Sequence, residues 1–529
     1  MAQPEAQSVK VHLMFRDRDL HAGEKKPPNE DALTRDLELP FLFEDMAAGD
    51  EFVYQAARQA IVTGVYNDLE TILYRQAVLQ DCLRHYPVVK CIYDLAREAT
   101  DSKQQHWLGI FSRYPGGILS DAIGHLRMLT GLLDRLRGLA DGHSDAFNSE
   151  GFKALFDQIK TELTEEYSGR IKNDLQDLQF RRGVLVSAGL GDENQGIHYV
   201  LRKTPDPRRS WLGRLFSKKP RALTIRIHPR DEAGARAFSD LRDRGINQVA
   251  NAVAQSADHI QSFFVTLQTE LAFYLGCVNL HRKLAAMEVP VCFPAPAAIG
   301  SAIRQAVSLC DICLILHTGR NVVGNGLDAD GISLVIITGA NQGGKTTFLR
   351  GIGVAQLMMQ AGMFVTAEAF EAEICGGLFT HYKHEEDATM ASGKFAEELS
   401  RMSHIADMLV PNSILLFNES FAATNELEGS EIARQIVNAL LEAHVKVFFI
   451  THLYEFASSF WKGPESNVLF LKAERGTDGS RPFKLLPGQP LQTSFGADLY
   501  ERIFGGHEIA GGGKMEPLTV GGGTHGRTP

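Results

Sequence analysis

The sequence has no run of 18 or more apolar residues, the length a helix needs to span a bilayer. Its first residues, MAQPEAQSVK, contain no apolar core of the kind that marks a secretory signal. Cysteine is scarce and odd in number, seven in 529 residues, so no disulfide framework is implied and a reducing, cytoplasmic setting is expected. The single close pair, Cys310 and Cys313, has no second pair nearby, which favours core thiols over a zinc site. Positive charge is not in excess either. The formal net charge is −10, so any nucleic-acid partner must meet a local basic patch.

What is present is a chain long enough for several domains, with a texture that changes along its length. Residues 1–40 are polar and contain Lys26-Pro27-Pro28-Asn29, which predicts a flexible lead. Over 41–182 apolar residues recur at helical spacing, as Leu69, Ile72, Leu73, Leu79 and Leu83 do. Between 183 and 230 three short β-like runs appear, GVLVSAGLG, GIHYVLRK and ALTIRIH, which predicts a small β insertion. Helix returns over 231–298, including one long helix at 259–287. From 299 to 508 apolar strands and helices alternate, as in an α/β domain with a mainly parallel sheet. The end, 509–529, is Gly-rich with no packable pattern and is expected to be disordered.

Three motifs in the last region carry chemistry. SLVIITGANQGGKTTFL reads as a buried strand, a Gly-rich turn and a helix start, and it holds Gly339-x4-Gly344-Lys345-Thr346. This is the phosphate-loop (Walker A) pattern in the context it requires. Successive amides and a helix N-terminus bind phosphate oxygens, and glycines let the backbone come close. Gly339, Asn341, Gly343, Gly344, Lys345, Thr346 and Thr347 are therefore candidate ATP-binding residues. The ammonium of Lys345 would meet the β- and γ-phosphates, and the Thr346 hydroxyl would meet Mg²⁺.

A second apolar run, Ile414–Phe417, ends in Asn418-Glu419. A carboxylate at the end of a strand beside a phosphate loop suits a base for the attacking water, which makes Glu419 the catalytic candidate. Asn418 stands where an Asp would hold a metal-bound water. Its amide oxygen still accepts a hydrogen bond, but the charge is gone. A third strand, Val447–Ile450, ends in Thr451-His452, where a His can sense a γ-phosphate. Between them, Phe395, Leu399, Met402, Ala406 and Leu409 form one helical face behind Ser392-Gly393, an anion site at a helix start or simply an N-cap.

Together these motifs resemble the MutS family of mismatch-repair ATPases. TGANQGGKTTFLR is similar to that family's TGPNMGGKST-type loop, NESFAATNELEG to its DEIGRGTSTYDG-type segment, and ITHLYEF to its ATHYFEL-type segment. ASGKFAEEL falls at its GRSTFMVEM-type signature, and VVGNGL (322–327) resembles its FIANPL-type segment, which adds Asn325 to the nucleotide side. The resemblance implies a helical lever and clamp followed by an ABC-type ATPase domain. It also implies a homodimer in which Lys345, Thr346, Glu419 and His452 act in cis, Ser392 acts in trans, and Thr424 and Asn425 lie at the dimer contact. Three departures stand out: Asn418 replaces the Asp, Gly393 occupies the usual serine position, and no Phe-x-Glu mismatch wedge is visible. A shortened family member is expected.

From Arg202 to Arg230 ten Lys or Arg face one acid, Asp206. Arg208, Arg209, Arg214, Lys218, Lys219 and Arg221, with Trp211 and Phe216 interleaved, suit DNA backbone contacts without sequence readout. A solvated loop and a membrane-surface contact are the other readings of this stretch. The functional expectation is an ATP-gated clamp on structured or branched DNA. The alternative is a slow nucleotide switch that grips a protein or a ribonucleoprotein.

Overall fold

The computed structural model describes residues 10–20, 23–107, 114–180, 183–192, 195–202, 224, 226–228, 230–383, 393–463, 467–476 and 480–491. The architecture is mixed, with a long helix in a helical half and two sheets in an α/β half.

The helical half contains α1 (Glu30–Asp36), α2 (Leu39–Ala47), α3 (Glu51–Thr63), α4 (Leu69–Arg84), α5 (Tyr86–Trp107), α6 (Pro115–His143), α7 (Glu150–Glu162) and α8 (Glu165–Asp177). Their starts are written in the sequence. Asp50, Asp68, Ser149 and Thr164 each accept a first-turn amide of the helix that follows, satisfying donors that have no partner within the helix. A strand pair follows, β1 (Leu185–Leu190) and β2 (Gly196–Arg202), antiparallel with a register shift after Ser187. Of the third run expected to be a strand, only Thr224 and Arg226–His228 are described, and these carry no strand pairing.

The chain then enters α9 (Glu232–Ala286), a helix of 55 residues, about 80 Å long at the standard rise. It is the one helix among the described residues long and apolar enough to cross a membrane, but 78% of its most apolar window is buried inside the fold. It packs along α2, α3, α5 and α6, and the β1–β2 pair lies against it near Gly245, where a Cβ would collide with Val186.

Residues 10–20 and 23–40 are not a flexible lead. Val11, Leu13, Met14, Phe15 and Leu20 are buried. The Glu270 carboxylate of α9 accepts the amides of Leu13 (2.7 Å), Met14 (3.1 Å) and Leu20 (2.7 Å). Tyr274 donates its hydroxyl to the Leu13 carbonyl and Arg75 donates to that of Met14. The surrounding polar residues hide this strap in the sequence, because Glu270 and Tyr274 lie 250 or more positions away and Arg75 about 60.

In the other half a small sheet of β3 (Ala295–Ala297), β4 (Arg304–Leu309), β5 (Asn325–Asp328) and β7 (Ala369–Glu373) runs in the order β3-β7-β4-β5. Between β4 and β5 lies α10 (Ile312–Thr318). Cys310 and Cys313 beside it are buried free thiols. The larger sheet is built from β6 (Leu334–Thr338), β8 (Leu378–Tyr382), β9 (Ile414–Asn418), β10 (Lys446–Ile450), β11 (Val468–Ala473) and β12 (Leu485–Pro487), ordered β12-β11-β6-β10-β9-β8. All pairings are parallel except that of β12. Its central strands are apolar throughout because both faces are covered. Val335, Ile337, Leu416, Phe448 and Ile450 join the main core, which also holds α11 (Lys345–Gln360). Leu334, Ile336, Leu415, Phe417, Val447 and Phe449 point to a second core under α12 (Lys394–Met408), α13 (Glu426–Glu442) and α14 (Tyr454–Trp461).

Candidate active site

Strands β9, β10 and β6 lie side by side and parallel, so their C-terminal ends open at one edge of the sheet. That edge is where open α/β sheets bind ligands. Strand β6 leads into the Gly-rich loop and α11, β9 ends at Asn418-Glu419, and β10 is followed by His452. The three motifs, separate in sequence, converge there.

Glycine takes two of the left-handed positions in the loop, and Gln342 takes a third at φ +58°. Gly339 has φ +116° and Gly344 φ +88°. A Cβ on Gly343 would lie 2.7 Å from the Ala473 Cβ and 2.9 Å from the Ala340 carbonyl oxygen. Lys345 opens α11. Its ammonium is buried and donates to the carbonyls of Gly339 (2.8 Å) and Ala340 (3.0 Å). Burial, opposed by the charge of Glu419 and helped by that of Arg481, lowers its pKa to about 8. Asn341 and Thr346 are exposed and Thr347 is half-buried.

The Thr346 hydroxyl donates to the Asn418 amide oxygen at 3.2 Å, so loop and acid strand are joined directly. Glu419 adopts a left-handed backbone, φ +56°, and its amide donates to the Ile450 carbonyl. Its carboxylate faces His452 Nε2 at 3.1 Å. A carboxylate can only accept, so that nitrogen carries the hydrogen. The hydrogen bond is the main reason the Glu419 carboxyl lies below its ordinary pKa, with the charges of His452, Lys345 and Lys383 adding to it. An ionised, half-exposed carboxylate with a fixed imidazole beside it can take a proton from water.

Among the described residues no group of three or more His, Cys, Asp or Glu is placed to hold a metal. The oxygens on offer are those of Thr346 and Asn418, both neutral. Such a donor set fits Mg²⁺, which takes few protein ligands and fills its shell with water and phosphate oxygens.

The other sequence candidates divide. Asn325 bonds the segment that lies against Gly344 of the loop. Its amide donates to the Phe483 carbonyl (3.0 Å) and accepts the Leu485 amide (2.8 Å), pinning the segment before β12. Thr424 and Asn425 both bond to Glu428, and Asn425 caps α13. On α12, Met402 is buried as expected, but Ile405 and not Ala406 completes the face. Ser392, Arg208, Arg209, Arg214, Lys218, Lys219 and Arg221 lie outside the described residues.

Several residues here went unnoticed in sequence. Arg481 donates to the loop residue Gln342 at 3.2 Å. His381, at the end of β8, is fully buried, with Nδ1 2.7 Å from the Ser420 hydroxyl and Nε2 3.0 Å from the Glu398 carbonyl. The Glu398 carboxylate, its pKa raised by burial, accepts the Phe421 amide at 2.7 Å. The run LFTHY offered one signal, a histidine inside a short β-like run.

Comparison with known proteins agrees with this geometry. A family profile described as "MutS2 N-terminal domain" matches residues 67–287, and one described as "MutS domain V" matches residues 335–501. This chain belongs to the MutS family. "DNA mismatch repair protein MutS" of Thermus aquaticus is 30% identical over 167 residues, covering 31% of this chain and 20% of that protein. "Endonuclease MutS2" of Streptococcus uberis is 34% identical over 141 residues, 26% of this chain and 18% of that protein. A MutS of Prochlorococcus marinus is 23% identical over 361 residues, 67% of this chain and 36% of its own length. The chain thus spans about a fifth of the length of the first two relatives and about a third of the third.

Proposed function

We propose that this MutS-family chain binds and hydrolyses ATP with Mg²⁺ at the edge where β6, β9 and β10 end. The observation that carries the reading is the convergence of Lys345, Thr346, Asn418, Glu419 and His452 at that edge. The loop amides and Lys345 would hold the phosphates. Thr346 directly, and Asn418 through water, would hold Mg²⁺, which supplies charge to the phosphate oxygens. Glu419 accepts the proton of the attacking water, and His452 orients Glu419. The neutral Asn418 makes the metal site weaker and turnover slow.

By the same family relation, the 299–508 region is read as an ABC-type ATPase domain. Ser392 would complete the site of a second copy in a homodimer, with Thr424 and Asn425 at the contact. The helical half and the β1–β2 pair would act as lever and clamp, with the Arg208–Arg221 cations on DNA backbone phosphates. The test is ATP turnover by the purified chain alone and with single-stranded, duplex and branched DNA, and with RNA. DNA-altered turnover supports the clamp. Turnover that DNA leaves unaltered sinks it.

A second reading, a slow switch acting on a protein or ribonucleoprotein, is favoured by Asn418 and the net charge of −10. Retention of ribosomes without DNA would select it.

A further inference from the structure

The buried network behind the acid strand does more than fill a core. Ser420 is flanked by two residues with left-handed backbones, Glu419 at φ +56° and Phe421 at φ +63°. Neither is glycine, so each position costs on the order of 1 kcal/mol unless its surroundings hold it. The Glu419 amide is held by the Ile450 carbonyl, and Phe421 is held from helix α12. Glu398 of that helix makes two contacts, one to the residue after Ser420 and one to the histidine that bonds the Ser420 hydroxyl. Its carboxylate accepts the Phe421 amide at 2.7 Å, and its carbonyl faces His381 Nε2 at 3.0 Å. The carbonyl can only accept, so Nε2 carries the hydrogen. Nδ1 lies 2.7 Å from the Ser420 hydroxyl, within hydrogen-bond distance. The same hydroxyl donates to the His381 carbonyl at 2.7 Å, so Ser420 is bonded to both the ring and the backbone of His381. The ring is fixed by stacking, 5.3 Å from Phe421 at an angle of 20°, with Phe417 5.6 Å away.

We propose that Glu398, His381 and Ser420 are positioning residues that tie the placement of helix α12 to the orientation of the Glu419 carboxylate. The inference rests on the ATPase reading above and adds a route of regulation to the same site. A shift of α12 along or about its axis moves both Glu398 contacts at once. It therefore acts on Phe421 directly and on Ser420 through His381, and it reaches Glu419 through the peptide that joins Glu419 to Ser420. Packed elements respond in this all-or-none way because their contacts are short and their interiors dense. His452 holds the far end of Glu419, so the carboxylate is aimed from its backbone on one side and from its tip on the other.

The experiment measures kcat and KM for ATP, with thermal midpoints, for Glu398→Ala, Glu398→Gln and Ser420→Ala in the full chain. Binding of a fluorescent ATP analogue is measured in parallel. Ser420→Ala is a small change that keeps the fold, and Glu398→Gln keeps an acceptor for the Phe421 amide. Misaligning a base by about 1 Å lowers turnover roughly 10- to 100-fold. The expected result is a kcat fall of that size for Glu398→Ala and Ser420→Ala. KM would stay within about twofold, and Glu398→Gln would restore most of kcat. A purely structural role would instead lower the midpoint without splitting kcat from KM. Wild-type-like kcat in Glu398→Ala and Ser420→Ala overturns the coupling and leaves the ATPase reading standing. A wild-type chain that binds no ATP overturns the ATPase reading itself, and the coupling with it.

Discussion

The Thr346 hydroxyl donates to the Asn418 amide oxygen across 3.2 Å, which places the first turn of α11 against the end of β9. Two neutral oxygens meet where a metal would be held. An added carboxylate charge a few ångströms from Mg²⁺ is worth on the order of 1–2 kcal/mol in a partly wet site. Asn418→Asp should therefore tighten Mg²⁺ dependence about tenfold and speed turnover. A Mg²⁺ titration of ATP hydrolysis reads this, and an unchanged half-saturation point would remove Asn418 from the metal site.

Lys345 gives a pH dependence with a definite sign. Its pKa is lowered to about 8, so the ammonium that phosphates need is lost as pH rises past that value. Nucleotide binding then has to take up a proton, and affinity falls by up to about tenfold per pH unit above 8. Titration of a fluorescent ATP analogue from pH 7 to 9.5 should show this decline. Flat affinity across that range would mean the lysine stays charged. For stability the sign is the reverse. Burying a charged lysine is unfavourable below the lowered value, and the penalty is relieved between about 8 and the ordinary lysine pKa.

Much of this site was legible because parallel strands buried on both faces must be apolar throughout, and because a phosphate loop needs glycine at fixed positions. Ile414–Phe417 and Val447–Ile450 could be read for the first reason, and Gly339 and Gly344 for the second. The Glu398–His381–Ser420 network could not, since its three members touch only after β8, β9 and α12 have packed. The strap at 10–20 was missed for the same reason, its acceptor Glu270 lying far along the chain. Asn325 was singled out by motif resemblance alone, and the sequence did not show that its amide bonds the backbone of Phe483 and Leu485.

Glu270 offers a test of the strap. Glu270→Ala would leave the amides of Leu13, Met14 and Leu20 buried without acceptors. Orphaned donors of this kind cost about 1–3 kcal/mol each when nothing relaxes, so a loss of roughly 3 kcal/mol is expected. Urea denaturation measures it. A change under about 0.5 kcal/mol would show that the strap contributes little.

Charge neutralisation tests the clamp reading. Replacing Arg208, Arg209, Lys218 and Lys219 together with Ala should weaken DNA binding across sequences and reduce the salt slope by roughly three to four. Anisotropy titrations on labelled branched and duplex DNA at several salt concentrations give both numbers. An unaltered slope would place the DNA contacts, if any, elsewhere.

Single-turnover ATP hydrolysis by the wild-type chain and Glu419→Gln, with nucleotide binding measured on the same samples, bears most directly on the site. The wild type should bind ATP and release phosphate. Glu419→Gln should bind comparably and release phosphate at least about 100-fold more slowly, the size expected for losing a general base. Equal release by the two chains would contradict the role given to Glu419. Failure of the wild type to bind ATP at all would contradict the site.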